Sequence, residues 1–305
     1  MTKRETISAD FYGVTFGFCV EEPEIRKRLK RYLSFFLSRT NSFRHILYID
    51  NTDIFLDGEI IGTFQKDGPL FFERLFSLIN GLFFKEVKGY LVIHGGAVEK
   101  EGKVHVLPGF SGVGKSTLLS YLLTKGWNYF SDDIVLLNLR DKKVYPYPIP
   151  LRLKSPPEYI ITFFKRHPDI DLEEYFLINE KIYYVIPKKI DNKIFKTGKK
   201  LSSFIFPYFS KRGGTSLTKL DKKEILFGLT SNCVNFSIHK RRIFDSIFEL
   251  IKEISGYQLI YNDFASIEKI SSRHSISGSG FDILQLINSK PKIVENVKCQ
   301  TLLLL

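Results

Sequence analysis

Between the apolar run Lys103–Leu107 and an amphipathic run starting near Lys115, the chain reads Gly109-Phe110-Ser111-Gly112-Val113-Gly114-Lys115-Ser116. This is the pattern G-x-x-x-x-G-K-S, and strand, glycine-rich turn and helix in that order commit this part of the chain to an α/β arrangement. The glycines let successive backbone N–H groups converge on one centre at a helix N-terminus, where the macrodipole also favours negative charge. Such a nest suits phosphate. On this reading Gly109 to Ser116, with Thr117, cradle a nucleotide for which ATP is the default; Lys115 reaches its β- and γ-phosphates, and the Ser116 hydroxyl coordinates Mg²⁺.

The neighbouring sequence supplies further chemistry. Tyr90–Ile93 reads as a strand ending at His94-Gly95-Gly96, with Ala97–Lys100 continuing extended, a turn at Glu101-Gly102 and the strand Lys103–Leu107 leading into the glycine-rich turn. The helix from Lys115 is expected to bury Leu118, Leu119, Leu122 and Leu123 and to stop at Gly126. Trp127–Phe130 and Ile134–Leu139 then read as strands separated by Asp132-Asp133, and the turn Arg140–Lys143 sends Val144–Tyr147 back antiparallel. Two adjacent carboxylates returned beside the phosphates can divide the labour, one holding Mg²⁺ and the other accepting the proton of an attacking hydroxyl. His94 stands at a strand end before two glycines that allow close backbone approach. Arg152 and Lys154 could neutralise phosphoryl charge, but surface solvation is the preferred account of either one.

Residues 11–90 mix signals: helix over Glu24–Leu37, a hairpin made of His45–Ile49 followed by Asp53–Gly62, and helical spacing over Phe71–Phe84. Nothing there has the spacing of a catalytic set, so the region is expected to be scaffold. Downstream, prolines at 146, 148, 150, 156 and 157 predict a loop leaving the core, followed by strands at Lys181–Ile186 and Leu201–Phe206 and a loop at Arg212–Thr215. Helices are expected over Asp221–Leu229 and Arg242–Ile254, then a strand over Tyr257–Asn262 and a loosely organised tail from Ile267 that is rich in Ser and Gly over 271–280.

Composition narrows the partners. A formal net charge of +12 favours anionic ligands. Without a nucleic-acid motif, however, pairs such as Lys188-Lys189 and Lys199-Lys200 read as solvated surface, and no nucleic acid is expected. Cys19, Cys233 and Cys299 form neither a CxxC pair nor a zinc set with the histidines, among them His105, His167, His239 and His274. The start of the chain lacks an apolar signal core, and Glu73, Arg74 and Asn80 interrupt the most apolar stretch, so a cytoplasmic protein without a membrane span is expected.

In order and spacing, His94-Gly95, Gly109–Ser116, Gly126 and Asp132-Asp133 resemble the catalytic core of the HPr kinase/phosphorylase superfamily. The closer likeness is to the HPr-kinase-related proteins of bacteria, some of which accompany the biosynthesis of ribosomally made peptides such as lasso peptides and phosphorylate a serine of the precursor. It extends to Leu201–Pro207, the helix after Lys219 and Tyr257–Asp263, and covers roughly residues 85 to 265. The resemblance implies a phosphoenolpyruvate-carboxykinase-like P-loop kinase core with a mixed sheet over 85–265, after a smaller α+β region over 1–84 and before a tail over 266–305. It implies Asp132 as general base, Ser116 and Asp133 as magnesium ligands, and His94 as an aid at the substrate hydroxyl. The Glu-x-Arg-Gly-Leu-Gly stretch that follows the core in HPr kinases is absent, which argues against HPr itself as the substrate.

The expected activity is therefore ATP-dependent phosphorylation of a serine hydroxyl on a peptide or small protein. A small-molecule acceptor such as free serine is the alternative within that class, and a nucleotide-binding regulatory module without transfer is the alternative outside it. Homo-oligomerisation stays open.

Overall fold

The computed structural model describes residues 6–273 apart from 51–52, 64–68, 178–179 and 189–195. Lys189, the side chain of His239, His274, Cys299 and the Ser/Gly-rich stretch past 273 lie outside the described residues. The fold is mixed α/β, and the described strands assemble into three sheets.

The first sheet contains β1 (Ile7–Phe11), β2 (Val14–Val20), β3 (His45–Asp50), β4 (Asp53–Leu56) and β5 (Glu59–Thr63) in sequential order. Helix α1 (Pro23–Tyr32) crosses between the parallel strands β2 and β3. It opens on Pro23 and Glu24, which suit the first turn, and closes on Lys30 and Arg31, which suit the last, while Ile25, Leu29 and Tyr32 bury one face. Helix α2 (Pro69–Glu86) follows.

The large sheet carries the glycine-rich turn. Its strands are β6 (Tyr90–Lys100), β7 (Lys103–Pro108), β8 (Asn128–Ser131), β9 (Ile134–Asn138), β10 (Lys143–Tyr145), β14 (Lys199–Phe209), β15 (Ser216–Lys219) and β16 (Ser255–Tyr261), in the order β10-β9-β6-β7-β14-β16-β15 with β8 beside β6. β7 is antiparallel to β6 and parallel to β14, which is in turn parallel to β16. Lys199 and Lys200 also pair with β10, so five strands close on themselves at one end. A third sheet has the order β11 (Leu151–Lys154), β13 (Glu180–Pro187), β12 (Ile170–Leu177). Helices α3 (Lys115–Thr124), α4 (Glu158–Arg166), α5 (Lys222–Ser231), α6 (Phe236–Glu253) and α7 (Phe264–Arg273) complete the described chain.

The first sheet and α2 share a core with the large sheet. Buried Tyr147 packs its ring against Phe11, Phe36 and Phe83 at 5.7, 5.1 and 5.4 Å and donates its hydroxyl to Asn80 at 2.8 Å. Arg28 and Arg31 of α1 both pair with Glu173 of β12, the former at 3.0 Å.

Three local expectations change. β6 does not end at His94-Gly95-Gly96 but runs straight through it, because Gly95 and Gly96 stay in register with Pro108 and Leu107. The proline-rich segment is not all loop, since β11 lies inside it and α4 and β12 follow. The chain from Ile267 to Arg273 belongs to α7, where Asp263 caps the helix by accepting from the Ser266 N–H and hydroxyl, both at 2.7 Å.

Gly95 is required for close approach, since a Cβ there would lie 2.7 Å from the Leu107 carbonyl oxygen, a backbone atom with no room to yield. Gly95→Ala is expected to destabilise the protein by about 1–3 kcal/mol in urea unfolding; a change within experimental error would contradict this packing.

Candidate active site

The turn between β7 and α3 is held in place from outside. Gly114 stands at φ 95°, and a Cβ there would come 2.4 Å from the Tyr261 hydroxyl and 2.9 Å from Phe209 Cβ. Tyr261 at the end of β16 donates to the Gly114 carbonyl at 2.9 Å, the Phe209 N–H donates to Val113 O at 3.0 Å, and the Gly109 N–H donates to His94 O at 3.2 Å. The ends of β14 and β16 and the middle of β6 therefore fix the loop before any ligand arrives. Lys115 is 5% exposed, and its ammonium donates to the loop carbonyl of Phe110 at 2.8 Å.

Asp132 and Asp133 leave β8 for β9 through a tight turn in which the Ile134 N–H donates to Asp132 O at 2.7 Å. This places Asp133 at φ 61°, in the rarer and strained form of the γ-turn that a short polar residue tolerates better than a bulky one. The Gly95 N–H donates to Asp133 O at 3.2 Å and anchors the turn to β6. The two carboxylates consequently meet different surroundings. Asp132 is 2% exposed and accepts the Ser116 hydroxyl at 3.0 and 3.2 Å. Asp133 has a side chain 59% exposed, with an oxygen 3.9 Å from His94 Nε2.

His94 is itself firmly placed. Where β7 has ended, the edge of β6 is taken up by residues 232–235: the His94 N–H donates to Asn232 O at 2.7 Å, and Asn235 bonds Val92 N and Tyr90 O at 3.1 and 2.9 Å.

These environments set the charges. Burial, then the charge of Asp133, pushes the Asp132 carboxyl up to about 8 against the pull of the Ser116 hydroxyl and Lys115. Burial also lowers Lys115, opposed by Asp132 and Asp133. His94 is lowered first by burial and then by Lys115, which favours the neutral imidazole.

Two cavities open among these groups. The first, about 510 Å³, is lined by His94 and Asp133 together with Glu73 and Asn80 of α2, Arg152 of β11 and Tyr184 of β13. Arg152 forms an ion pair with Glu73, which also accepts the Tyr184 hydroxyl at 3.0 Å. The second, about 760 Å³, borders Gly112, Gly114 and Thr117. Of the residues singled out from sequence, Lys115, Ser116, Asp132, Asp133 and His94 converge around the loop and Arg152 lines the first cavity, whereas Lys154 is exposed. Glu73, Asn80 and Tyr184 were invisible to sequence because only the tertiary placement of α2 and the third sheet brings them to the same cavity as His94. Among the described residues no three His, Cys, Asp or Glu side chains form a metal cluster, and no helix is long and apolar enough to cross a membrane.

The chain matches no protein-family model and no curated protein.

The charge state of Asp132 has a measurable sign. An acid with raised proton affinity in the folded state contributes stability in full below its unfolded value of 3.8 and loses it as pH rises through the folded value of about 8. In urea unfolding of the ligand-free protein with chelator, the wild type is expected to lose about 1–3 kcal/mol more than Asp132→Asn between pH 5 and pH 8. Parallel pH profiles would show that Asp132 carries no such strain.

Proposed function

We propose that the chain is a kinase that transfers the γ-phosphoryl group of ATP to a hydroxyl, with a serine of a peptide or small protein as the favoured acceptor. The observation that carries this reading is the division at the loop's end: Lys115, Ser116 and buried Asp132 on the phosphate side, His94 and exposed Asp133 facing a separate cavity. Binding alone needs no second carboxylate held in a strained turn beside an imidazole. The mixed sheet supports assigning the core to the phosphoenolpyruvate-carboxykinase-like arrangement of the HPr kinases, since the loop strand β7 has an antiparallel neighbour on one side and the carboxylate turn feeds the antiparallel pair β9–β10.

The geometry favours exchanging the two carboxylate roles that the resemblance implies. Asp132 has its oxygens on the Ser116 hydroxyl and lies buried, so a divalent cation there would relieve a charge that burial disfavours; one or two protein oxygens plus phosphates and waters suit magnesium. Bound between Ser116, Asp132 and the nucleotide, magnesium would supply charge neutralisation on the β- and γ-phosphates. Asp133 reaches the cavity in which an acceptor hydroxyl can stand. The acceptor oxygen bonds to the γ-phosphorus, the bond to the β-phosphate oxygen breaks to release ADP, and the hydroxyl proton passes to Asp133 beside a neutral His94. Lys115 draws charge from the phosphates throughout. A cavity of about 510 Å³ also admits a small alcohol whole, which keeps free serine as a second acceptor reading.

The test is release or transfer of label from γ-labelled ATP with magnesium, using serine-containing peptides, free serine and water as acceptors. Lys115→Ala and Asp133→Asn are each expected to slow transfer by about 10²–10⁴-fold, the latter without loss of nucleotide affinity. Asp132→Asn is expected to raise the magnesium concentration required. Undiminished transfer by Asp133→Asn would overturn the assigned base, and ATP binding with no transfer to any acceptor would favour a regulatory module.

A further inference from the structure

We infer that the cavity of about 760 Å³ beside Gly112, Gly114 and Thr117 is a nucleoside subsite that grips the base by stacking and discriminates little between adenine and guanine. The inference rests on the phosphoryl-transfer reading of Gly109–Ser116. A triphosphate on that loop with its γ end toward His94 and Asp133 must send its nucleoside the other way, over the first turn of α3, and this cavity opens there.

The walls are aromatic. Tyr159 of α4 and Phe209 at the end of β14 both line the cavity and are 49% and 40% exposed, so large ring surfaces face an open concavity next to the phosphate loop. Behind them lies a packed aromatic floor in which Phe264 stacks on Tyr121 at 4.2 Å and 9°, with Tyr261 at 5.8 Å from Phe264. The floor closes the cavity at the N-terminus of α7.

The amide, carboxylate and ammonium groups along this wall are already engaged inside the protein. Asn262 donates to Gly213 O at 3.1 Å and accepts from Thr215 at 2.8 Å. Asp263 caps α7 through Ser266, and Glu268 takes both Lys125 and the Tyr121 hydroxyl at 2.6 Å. A site that reads a base edge needs hydrogen-bonding groups reserved for it, and their loss of partners is what rejects the wrong base. What remains is ring faces, to which every base offers a π-face, and the hydroxyls of Thr117, Ser155 and Tyr159, each of which can donate or accept and so tells one base edge poorly from another.

Competition against a fluorescent ATP analogue, on the full chain with magnesium, tests this with ATP, GTP and inorganic tripolyphosphate. ATP and GTP are expected to compete within about three-fold of each other, with tripolyphosphate roughly ten-fold or more weaker. Tyr159→Ala and Phe209→Ala should each weaken ATP by about five-fold or more and leave tripolyphosphate unchanged. A preference for ATP over GTP of about 100-fold or more would overturn the inference by revealing base-edge readout. Tripolyphosphate competing as well as ATP, or falling in step with it in both variants, would sink the subsite alone. Failure of the fluorescent nucleotide to bind at all would remove the phosphoryl-transfer reading, and the subsite with it.

Discussion

Asp132 lies 2% exposed under the hydroxyl of Ser116 and within the field of Lys115 and Asp133. Placing a carboxylate there demands a close passage of four segments: β6, the loop, the start of α3 and the β8–β9 turn. Gly96 makes the passage feasible, since a Cβ would come 2.9 Å from Leu119 Cδ1 and 3.6 Å from an Asp132 oxygen. Gly95 does the same against β7. The buried acid is unfavourable as a bare charge; the Ser116 hydroxyl and Lys115 offset part of that cost, and the sheet holds the surrounding backbone in place.

The same constraint separates the two faces of the loop. On one side the strained turn at Asp133 aims a second carboxylate at His94 and at a cavity whose far wall is α2. On the other side the ends of β14 and β16 brace the loop through Phe209 and Tyr261 and open onto aromatic surface. The N-terminal sheet therefore has a consequence beyond scaffolding: it shares with α2 the core around Tyr147, whose hydroxyl donates to Asn80, and so helps place the α2 residues that line the cavity of His94.

Much of the loop and its immediate surroundings was legible in the sequence because it is local. The octapeptide, the strand before it and the helix after it are consecutive, and the carboxylates follow within one strand. The reading of His94-Gly95-Gly96 as a strand end failed because paired glycines signal a turn, whereas here they permit close approach inside a continuous strand. Proline density hid β11, and the charged pattern of Ile170–Leu177 hid an edge strand. Helix α7 was missed although Asp263 and Ser266 are a legible cap. The different surroundings of Asp132 and Asp133 could not be read at all. Neighbouring residues of one type are equivalent in sequence, and only the left-handed backbone at Asp133 decides which carboxylate meets Ser116. Cavity walls from α2 and α4 are tertiary and leave no local trace.

The most direct test of this account is a crystal structure with a non-hydrolysable ATP analogue and magnesium. The account predicts phosphates on Gly109–Ser116, the metal against Ser116 and Asp132, the γ-phosphate nearest His94 and Asp133, and the base against Tyr159 and Phe209. A triphosphate bound away from the loop, or one running in the opposite direction with its base in the cavity of Glu73 and Arg152, would contradict it.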